Sequence, residues 1–559
     1  MGKKKRNPFF ALTALLPLFL TGCTITIQPV SSSIPSSESS SSSSELSSEE
    51  TSSSSEATSE TTSEDISLDS STSESTSEEV SLDPRPAETF EFYAVNDFHG
   101  SVVYNGAYEV GAASYFSYLK QRKDADPDHV ILLSSGDMWQ GSYESNVNYG
   151  NLVTELCNVA GFDSMTLGNH EFDYGRQYLL NNKELADYPF LAANIYKYKD
   201  WRVTDEFWNE GADKSTVLER AGYRIGIVGI IGEGQTSSIT SDRVTDLVFD
   251  DPELHATKEA RRLKTEEGCD IVVLSIHDDA KSILGGSTDS KTYQPWGLVD
   301  NLKYYFDGVF CAHTHTENNA TSPDGVPLLQ AWKNGGNYAH MTLTIDQGKV
   351  TCDKAEILTA KNVIGDIDPD IQDKIDEYLT PEVLVKSNQV AGTLTGTLSN
   401  TEGVGNLGAA AIYHAYKDKG AILGMQNSQR ASLYSGELTY GELYKAMPFT
   451  NSIVMLYCSG SEIKREVSYQ WVYAYSDTIS STSELDDRTF YWIAVIDFLA
   501  YHQSDGHSYN YFPGLNTGAD RFGDVYETYP VDLTFDYIKN TLGGVVNSSA
   551  YKAGAPGIL

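Results

Sequence analysis

Five short apolar runs in this chain are each followed by side chains that bind metal ions in proteins. Such runs predict buried β-strands, and ligands at their ends point into the crevice beyond the carboxyl edge of a sheet. A set of this size fits two ions that share one carboxylate, with positions left open for water and substrate. The residues are Asp97 and His99 after 92–95, Asp137 after 130–133, Asn169 after 165–167, His277 ending 271–277, and His313 and His315 after 309–312.

Two of these runs end in a pair of ligands that stand two residues apart, Asp97 with His99 and His313 with His315. In an extended chain, residues two apart project to the same side. Together the two pairs could bind one zinc-like ion by chance, and the further ligands Asp137, Asn169 and His277 raise the set to seven. Nitrogen-rich sets with hard oxygens suit zinc, manganese, iron or cobalt better than magnesium or calcium.

The chemistry expected of such a site is hydrolysis of a phosphoester. Two divalent ions about 3.5–4 Å apart bind phosphoryl oxygens and lower the pKa of a bridging water, which gives a hydroxide for in-line attack on phosphorus. His170 is left over once the ligands are assigned, so it is the predicted general acid for the leaving group. Asp173 is placed to hold the His170 ring in the right tautomer, and a role in the core is the alternative for this residue.

The elements around these strands predict an α/β protein with more than one domain. Helix-like segments at 112–122, 152–160 and 255–267 alternate with the strands, which indicates layers of helices on mixed sheets. A first domain is predicted over 89–360 and an aromatic-rich second domain over 384–559. Residues 361–383 are predicted to form a connecting helix, with Ile371, Ile375, Tyr378 and Leu379 at helical spacing.

The N-terminal segment has the pattern of an export signal. Residues 3–6 are basic, 9–20 are largely apolar, and Leu20-Thr-Gly-Cys23 resembles the lipobox of bacterial lipoproteins. This resemblance implies cleavage before Cys23, a diacylglycerol on its thiol and attachment to the outer face of the cell membrane. An ordinary secretory signal in which Cys23 is incidental is the alternative. Residues 23–88 are rich in Ser, Thr and Glu, which predicts a disordered tether.

The charge of the chain restricts its partners. The formal net charge is −38 at pH 7, and the folded region shares in it. A surface this acidic repels nucleic-acid polymers. A small substrate that carries phosphate is expected instead, with bound metal ions supplying the local positive charge.

The ligand pattern closely resembles that of the calcineurin-like metallophosphoesterases, and its spacing over 90–345 resembles their 5′-nucleotidase branch. The resemblance implies a four-layer β-sandwich flanked by helices, followed by a C-terminal α/β substrate domain. It also implies roles for the ligands. One ion would be held by Asp97, His99 and His315, the other by Asn169, His277 and His313, with Asp137 bridging and with His170 and Asp173 as the catalytic dyad.

The resemblance continues into the second domain, where the segments that bind substrate have changed. The family usually has Asn-Gly-Gly-Gly-Ile-Arg where this chain has Met-Gln-Asn-Ser-Gln-Arg at 425–430, so the arginine is kept and most of the rest is lost. Two aromatic rings that sandwich a nucleobase tolerate any base. The predicted substrate-binding residues are Arg430, Phe449, Asn451, Phe498 and Asp505.

The sequence favours a phosphohydrolase that acts on nucleoside 5′-monophosphates. The same chemistry on 2′,3′-cyclic nucleotides, UDP-sugars or another phosphoester is the first alternative. A surface binding protein or adhesin that has lost catalysis is the second.

Overall fold

The apolar runs that precede the ligands form buried strands. In the computed structural model, β2 (Val130–Ser134), β10 (Ile271–His277) and β11 (Gly308–Phe310) are buried along their whole length. Strands covered on both faces carry continuous apolar runs rather than alternating ones. The structure describes residues 83–104, 109–199, 202–240, 243–285, 296–363, 365–427, 429–501, 511–512 and 521–559.

Two six-stranded mixed sheets and a small third sheet form the centre of the first domain in the described ranges. Besides β2, β10 and β11, their strands are β1 (Glu88–Val95), β3 (Ser164–Thr166), β4 (Phe190–Leu191), β5 (Ile195–Lys199), β6 (Arg202–Phe207), β7 (Ser215–Arg220), β8 (Tyr223–Ile231), β9 (Leu247–Phe249), β12 (Glu317–Thr321), β13 (Pro327–Ala331), β14 (Asn337–Asp346) and β15 (Lys349–Thr359). The two large sheets have the strand orders β15-β14-β1-β2-β3-β4 and β12-β13-β11-β10-β8-β7, and the small sheet has the order β6-β5-β9. Strands β1 to β4 run parallel, as do β8, β10, β11 and β13.

Helices cover the outer face of each sheet. One apolar core lies between the two sheets and includes Phe92 and Ile271, and separate cores lie outside each sheet under the helices. The predicted four-layer architecture is therefore confirmed. The helices of this domain are α1 (Gly111–Ala125), α2 (Tyr143–Asn146), α3 (Asn151–Ala160), α4 (Arg176–Leu185), α5 (Pro252–Thr265), α6 (Ala280–Leu284) and α7 (Leu302–Tyr305).

The second domain is built on a five-stranded sheet and a three-stranded sheet in the described ranges. The strands are β16 (Val390–Leu394), β17 (Gly424–Asn427), β18 (Gly436–Thr439), β19 (Ile453–Ser459), β20 (Val472–Tyr475), β21 (Phe490–Ile496), β22 (Phe522–Tyr526) and β23 (Val545–Val546). The strand orders are β20-β17-β21-β19-β22 and β18-β16-β23. Helix α10 (Gly403–Tyr416) is almost wholly buried and contacts β17 and β20. The other helices are α11 (Tyr440–Ala446), α12 (Gly460–Val467), α13 (Asp497–Ala500) and α14 (Pro530–Asp536).

The connection between the domains differs from the single helix predicted over 361–383. It contains two helices, α8 (Pro369–Tyr378) and α9 (Pro381–Ser387). Pro381 disfavours helical backbone at Thr380, so the first helix ends before that residue, at Tyr378, and the Thr380 side chain caps the second helix. Ile371 and Ile375 belong to the core of the first domain, so α8 is part of that domain.

Described residues make defined contacts before the predicted end of the tether at residue 88. Arg85 donates to Asp270 at 2.9 Å, and its guanidinium lies 4.1 Å from the centroid of the Tyr223 ring. Strand β1 starts at Glu88. These contacts fix residues that composition alone assigns to a polar tether. The signal segment, Cys23 and most of the tether lie outside the described residues. None of the helices in the described ranges is both long and apolar enough to cross a membrane.

Candidate active site

The predicted ligands come together where the carboxyl ends of the two central sheets meet. Parallel strands β1, β2 and β3 lie side by side, so the loops that follow them open at one edge of the first sheet. Strands β10 and β11 deliver the remaining ligands at the matching edge of the second sheet. The structure places all seven predicted ligands there: Asp97, His99, Asp137, Asn169, His277, His313 and His315.

The backbone at the ligand pairs is not the extended chain that their spacing suggested. Asp97 and His99 both have φ of 50°, and His313 and His315 have φ of 75° and 54°. Asp137 lies in the same left-handed region with φ of 57°. Such backbone costs about 1–3 kcal/mol for each non-glycine residue and persists only where surrounding contacts impose it. Conformational strain is thus concentrated at the ligands, as is common at functional sites.

One group of ligands consists of Asp97, His99 and His315, whose ligand atoms lie within 4.8 Å of one another. His99 Nε2 is 2.8 Å from His315 Nε2, and His315 Nε2 is 3.5 Å from Asp97 Oδ1. The far nitrogen of His99, Nδ1, donates to the carbonyl of Gln140 at 2.8 Å. That bond leaves Nε2 free to face an ion, which is the usual arrangement of a histidine ligand.

The second group consists of Asp137, His277 and His313, with Asn169 beside it. Asp137 Oδ2 is 3.3 Å from His277 Nε2 and 3.9 Å from His99 Nε2, so this carboxylate lies between the two groups. His277 Nε2 is 3.1 Å from Asn169 Oδ1, and His277 Nδ1 donates to the Ser135 carbonyl at 2.8 Å. The positions correspond to two ion sites joined by Asp137.

The electrostatics of the site keep most ligands in the protonation states that metal binding needs. Burial, with the nearby His277, lowers the pKa of His313 to about 3, and burial holds the pKa of His99 well below its usual value. Burial would raise the pKa of Asp137, but the imidazoles of His277 and His170 outweigh it and hold that pKa well below the ordinary value. His277 differs, because Asp137 overcomes the effect of burial and raises its pKa to about 10. An ion at His277 therefore competes with a proton.

One buried ring nitrogen among the ligands, His313 Nδ1, has no hydrogen-bond partner among the described residues. Buried polar atoms are normally satisfied, so an imidazole nitrogen of this kind at a cluster of ligands fits a missing partner. The donor set fits two divalent ions, one held by Asp97, His99 and His315 and the other by Asn169, His277 and His313, with Asp137 shared. The zinc, manganese, iron or cobalt type of these ions stays a prediction.

The predicted dyad is formed beside the second group. His170 Nδ1 is 2.7 Å from Asp173 Oδ2, and the backbone N–H of His170 donates to Asp137 Oδ1 at 2.8 Å. His170 Nε2 lies 3.9 Å from Asp137 Oδ2 and accepts a hydrogen bond from Arg430 of the second domain. Asp173 is half-buried and contacts the His170 ring, which favours the orienting role over the core role.

Glu171 fixes the loops that carry the ligands, a role that the sequence did not reveal. Its side chain is fully buried and accepts hydrogen bonds from the backbone N–H groups of Asp137, Met138 and Gly168 at 2.8, 2.8 and 2.7 Å. The carboxylate thereby joins the loop after β2 to the loop after β3.

Loss of the Glu171 carboxylate is expected to destabilise the fold. Glu171→Ala would leave three buried N–H groups without acceptors at about 1–3 kcal/mol each, so the free energy of unfolding should fall by roughly 3 kcal/mol or more. Denaturant unfolding of the metal-free protein measures this. Glu377→Ala is the control, because the pair of Glu377 with Lys374 at 3.2 Å is solvent-exposed and worth about 0–1 kcal/mol. Equal effects of the two changes would contradict this role of Glu171.

The second domain closes over the dyad and forms a cavity of about 310 Å³. Strand β19 begins beside the end of β21, and β17 runs parallel to β21, so three loops of this domain reach the same edge. Asn451 Nδ2 donates to Asp497 Oδ1 at 2.6 Å, which joins the loop of Phe449 to the helix of Phe498. Asp505 lies outside the described residues. The predicted residues that line the cavity are Asn169, His170, Asp173, His313, Arg430, Phe449, Asn451 and Phe498.

Several residues of the site carried no recognisable signal in the sequence. Arg243 donates to the Phe172 carbonyl at 3.3 Å and lines the same cavity, together with Gln140, Ser237, Ser238 and Thr240. They belong to loops without motif spacing. Lys333 Nζ lies 3.4 Å from His315 Nδ1. The position of Lys333 could have been predicted. It lies just beyond β13, which runs parallel to β11, and the loop after β11 carries His313 and His315 at the same edge of the sheet.

Comparison with protein families agrees with this architecture. Residues 90–317 match the calcineurin-like phosphoesterase family, and residues 386–479 match the 5′-nucleotidase C-terminal domain. The first match covers the strands and loops that supply all seven ligands and the dyad. The second covers the segment that contains Arg430, Phe449 and Asn451.

Individual proteins and a solved structure are also similar to this chain. An endonuclease, YhcR of Bacillus subtilis, is 25% identical over 69% of this chain and 33% of its own length, so the chain spans about a third of that relative. A 5′-nucleotidase of Vibrio cholerae is 22% identical over 66% of this chain and 73% of its own. The crystal structure of a 5′-nucleotidase precursor from Thermus thermophilus has the same fold, with a TM-score of 0.65, 21% identity and coverage of 82% of this chain and 97% of that one. The chain therefore belongs to the calcineurin-like metallophosphoesterases that carry a 5′-nucleotidase C-terminal domain, a family of metal-dependent phosphoester hydrolases.

Proposed function

We propose that this chain is a lipid-anchored, extracytoplasmic nucleotidase that removes the phosphate from nucleoside 5′-monophosphates. One observation carries the proposal. The cavity of about 310 Å³ is lined at one end by the dyad and the ligands Asn169 and His313, and elsewhere by the aromatic residues Phe449 and Phe498. If the phosphoester group of a substrate binds at the ligands, its nucleoside leaving group would lie beside these aromatic side chains. The volume of the cavity falls within the range of small-molecule sites.

The dyad and Arg430 supply the proton and the charge that such a reaction needs. When bound, two divalent ions activate water and neutralise the charge on the phosphoryl group. In its doubly protonated form, His170 would donate the Nε2 proton to the leaving oxygen, while its Nδ1–H donates to Asp173 at 2.7 Å and keeps the ring in place. Arg430 reaches both His170 and His315, so its guanidinium is positioned to pair with an anionic substrate at this point.

The aromatic ring of Phe449 is expected to account for binding of the base. Its centroid lies 6.0 Å from that of the His170 ring, and Arg430 Cζ is 5.5 Å from it. Phe449→Ala should raise KM for AMP by about five- to 150-fold, because one base stack is worth about 1–3 kcal/mol. Steady-state kinetics on AMP and on p-nitrophenyl phosphate, which has no nucleobase, measure the difference.

The control for this change is Phe490→Ala, which removes an exposed ring of the second domain. It should leave both substrates unaffected. An increase in KM of equal size for AMP and for p-nitrophenyl phosphate in Phe449→Ala would show that the ring does not act on the base.

A phosphate-release panel tests the proposed substrate class. The wild-type protein is supplied with excess Mn²⁺ or Zn²⁺ and offered AMP, UMP, GMP, a 2′,3′-cyclic nucleotide, a UDP-sugar and p-nitrophenyl phosphate. Turnover of the monophosphates is expected to be fastest. Absence of turnover on AMP, UMP and GMP would overturn the proposal, and absence on every substrate would favour a non-catalytic surface protein.

The proposed location rests on the sequence of the N-terminal segment. The basic residues 3–6, the apolar stretch 9–20 and Leu20-Thr-Gly-Cys23 support export and lipid attachment. Fatty-acid labelling of cells that express the chain tests the attachment. Label should appear on the wild-type protein and be lost in Cys23→Ser, whereas label that persists in the variant would contradict it.

A further inference from the structure

Helix α2 of the first domain makes a set of contacts with the second domain close to the active site. It packs against α9 and α11. The Tyr143 ring meets the Tyr440 ring edge-on with centroids 5.2 Å apart, and Glu144 accepts a hydrogen bond from the Ser387 hydroxyl. These four residues are therefore a main point of contact between the catalytic domain and the substrate domain.

Asn146, the last residue of α2, is 4% exposed and uses its side-chain amide on both sides of the domain boundary. Its Oδ1 accepts from the backbone N–H of Gly141 at 3.0 Å and from the Tyr174 hydroxyl at 2.7 Å, both in the first domain. Its Nδ2 donates to the Tyr444 hydroxyl at 3.2 Å and to the Pro448 carbonyl at 3.1 Å, both in the second domain. All four bonds that an asparagine amide can make are thus formed.

The first-domain partners of Asn146 adjoin the catalytic groups. Gly141 follows Gln140, whose carbonyl accepts from His99 Nδ1 at 2.8 Å. A side chain at Gly141 would meet the His99 carbonyl oxygen at 2.2 Å, so this turn lies directly against the ligand. Tyr174 follows Asp173, the residue that orients the general acid.

The second-domain partners adjoin the base-binding ring. Pro448 immediately precedes Phe449, and its carbonyl is held by the Asn146 amide. The bond fixes the backbone one residue before the ring that lines the cavity. Because the amide group is planar and its four partners are all engaged, a shift of the Phe449 loop relative to the dyad must break at least one of these bonds.

We infer that Asn146 is a positioning residue that sets the distance between the metal-binding groups and Phe449, and so selects for substrates with a base attached to the phosphate. It does not touch the reacting atoms. The inference rests on the proposed nucleotidase function. Displacement of a positioned group by about 1 Å can cost about 100-fold in rate, so a single amide in this place is sufficient to affect specificity.

Asn146→Asp tests the inference because it mainly changes the hydrogen bonds to the second domain. The carboxylate keeps an acceptor for Gly141 and Tyr174 but loses the donor to the Pro448 carbonyl. KM for AMP is expected to rise by roughly tenfold or more, whereas kcat and KM for p-nitrophenyl phosphate stay near the wild-type values. A residue that only stabilises the fold would change both substrates together.

A double-mutant cycle with Phe449→Ala separates positioning from other effects. If Asn146 acts through Phe449, Asn146→Asp adds no further increase in KM for AMP once the ring is absent. Independent, multiplicative effects of the two changes would overturn the inference. Tyr444→Phe, which removes a single hydroxyl partner on the second-domain side, should shift KM for AMP in the same direction by a smaller factor and serves if Asn146→Asp does not fold.

The matched control is Asn148→Ala in the same loop. Among the described residues, the Asn148 side chain bonds within the first domain, to the Glu144 carbonyl at 2.6 Å and the Leu152 N–H at 3.0 Å, so KM for AMP should not change. An unchanged KM in Asn146→Asp and in Tyr444→Phe, with wild-type enzyme active on AMP, would overturn the inference but not the proposed function. If the wild-type enzyme prefers another phosphoester, the proposed substrate is wrong, and the same cycle with that phosphoester as probe still decides the role of Asn146.

Discussion

Asp137→Ala is expected to remove both ions and to abolish phosphoester hydrolysis. The Asp137 carboxylate lies between the two ligand groups, 3.3 Å from His277 and 3.9 Å from His99, and it is almost fully buried. Loss of an outer partner of a ligand typically costs 10–100-fold in metal affinity, and loss of a shared ligand should cost more than that.

Elemental analysis after dialysis, combined with phosphate release, measures this effect of Asp137. The matched control is Asp163→Asn, since Asp163 is also buried but pairs with Lys123 at 2.7 Å and Arg220 at 2.9 Å. The control should retain its ions and its activity. Full ion content and activity in Asp137→Ala would show that this carboxylate does not bridge the ions.

His170→Ala is expected to keep both ions and to lose most of the turnover of nucleotides. His170 lies beside the ligands but outside both ion groups, and its ring is bonded to Asp173 and Arg430. Loss of a general acid typically costs about 10²–10⁴-fold. Asp173→Asn should reduce turnover in the same direction by a smaller factor, because the ring remains while its orientation is weakened.

The leaving group distinguishes a general acid from other roles of His170. A nucleoside alkoxide needs a proton as it leaves, whereas p-nitrophenolate is stable without one. His170→Ala should therefore impair AMP far more than p-nitrophenyl phosphate. His129→Ala, which removes a half-buried histidine paired with Glu88 and Asp126, is the control and should impair neither. Loss of an ion from His170→Ala would identify this residue as a ligand instead.

The general position of the metal-binding groups could be predicted from the sequence because it follows from topology. Buried parallel strands end at a common edge, so the side chains after β1, β2, β3, β10 and β11 had to lie near one another. The backbone of the ligands could not be predicted. The φ of 50° at Asp97 depends on tertiary contacts such as the hydrogen bond from the His313 N–H to Asp97 at 3.0 Å.

Residues that act through tertiary hydrogen bonds were also beyond prediction. Glu171 and Asn146 are ordinary polar residues in sequence, and their roles come from partners in other loops or in the other domain. The connection between domains shows a local signal that was missed. The pair Thr380-Pro381 is typical of the end of one helix and the start of the next, so the sequence indicates two helices here.

A titration of the metal-free enzyme tests directly whether hydrolysis needs two bound ions. Ions bound per chain and the rate of phosphate release from AMP are recorded together as Mn²⁺ or Zn²⁺ is added. Activity should reach its maximum as binding approaches two ions per chain, and chelation should abolish it. Full activity in the chelated protein, or no activity on any phosphoester with two ions bound, would show that the two ions do not carry the reaction.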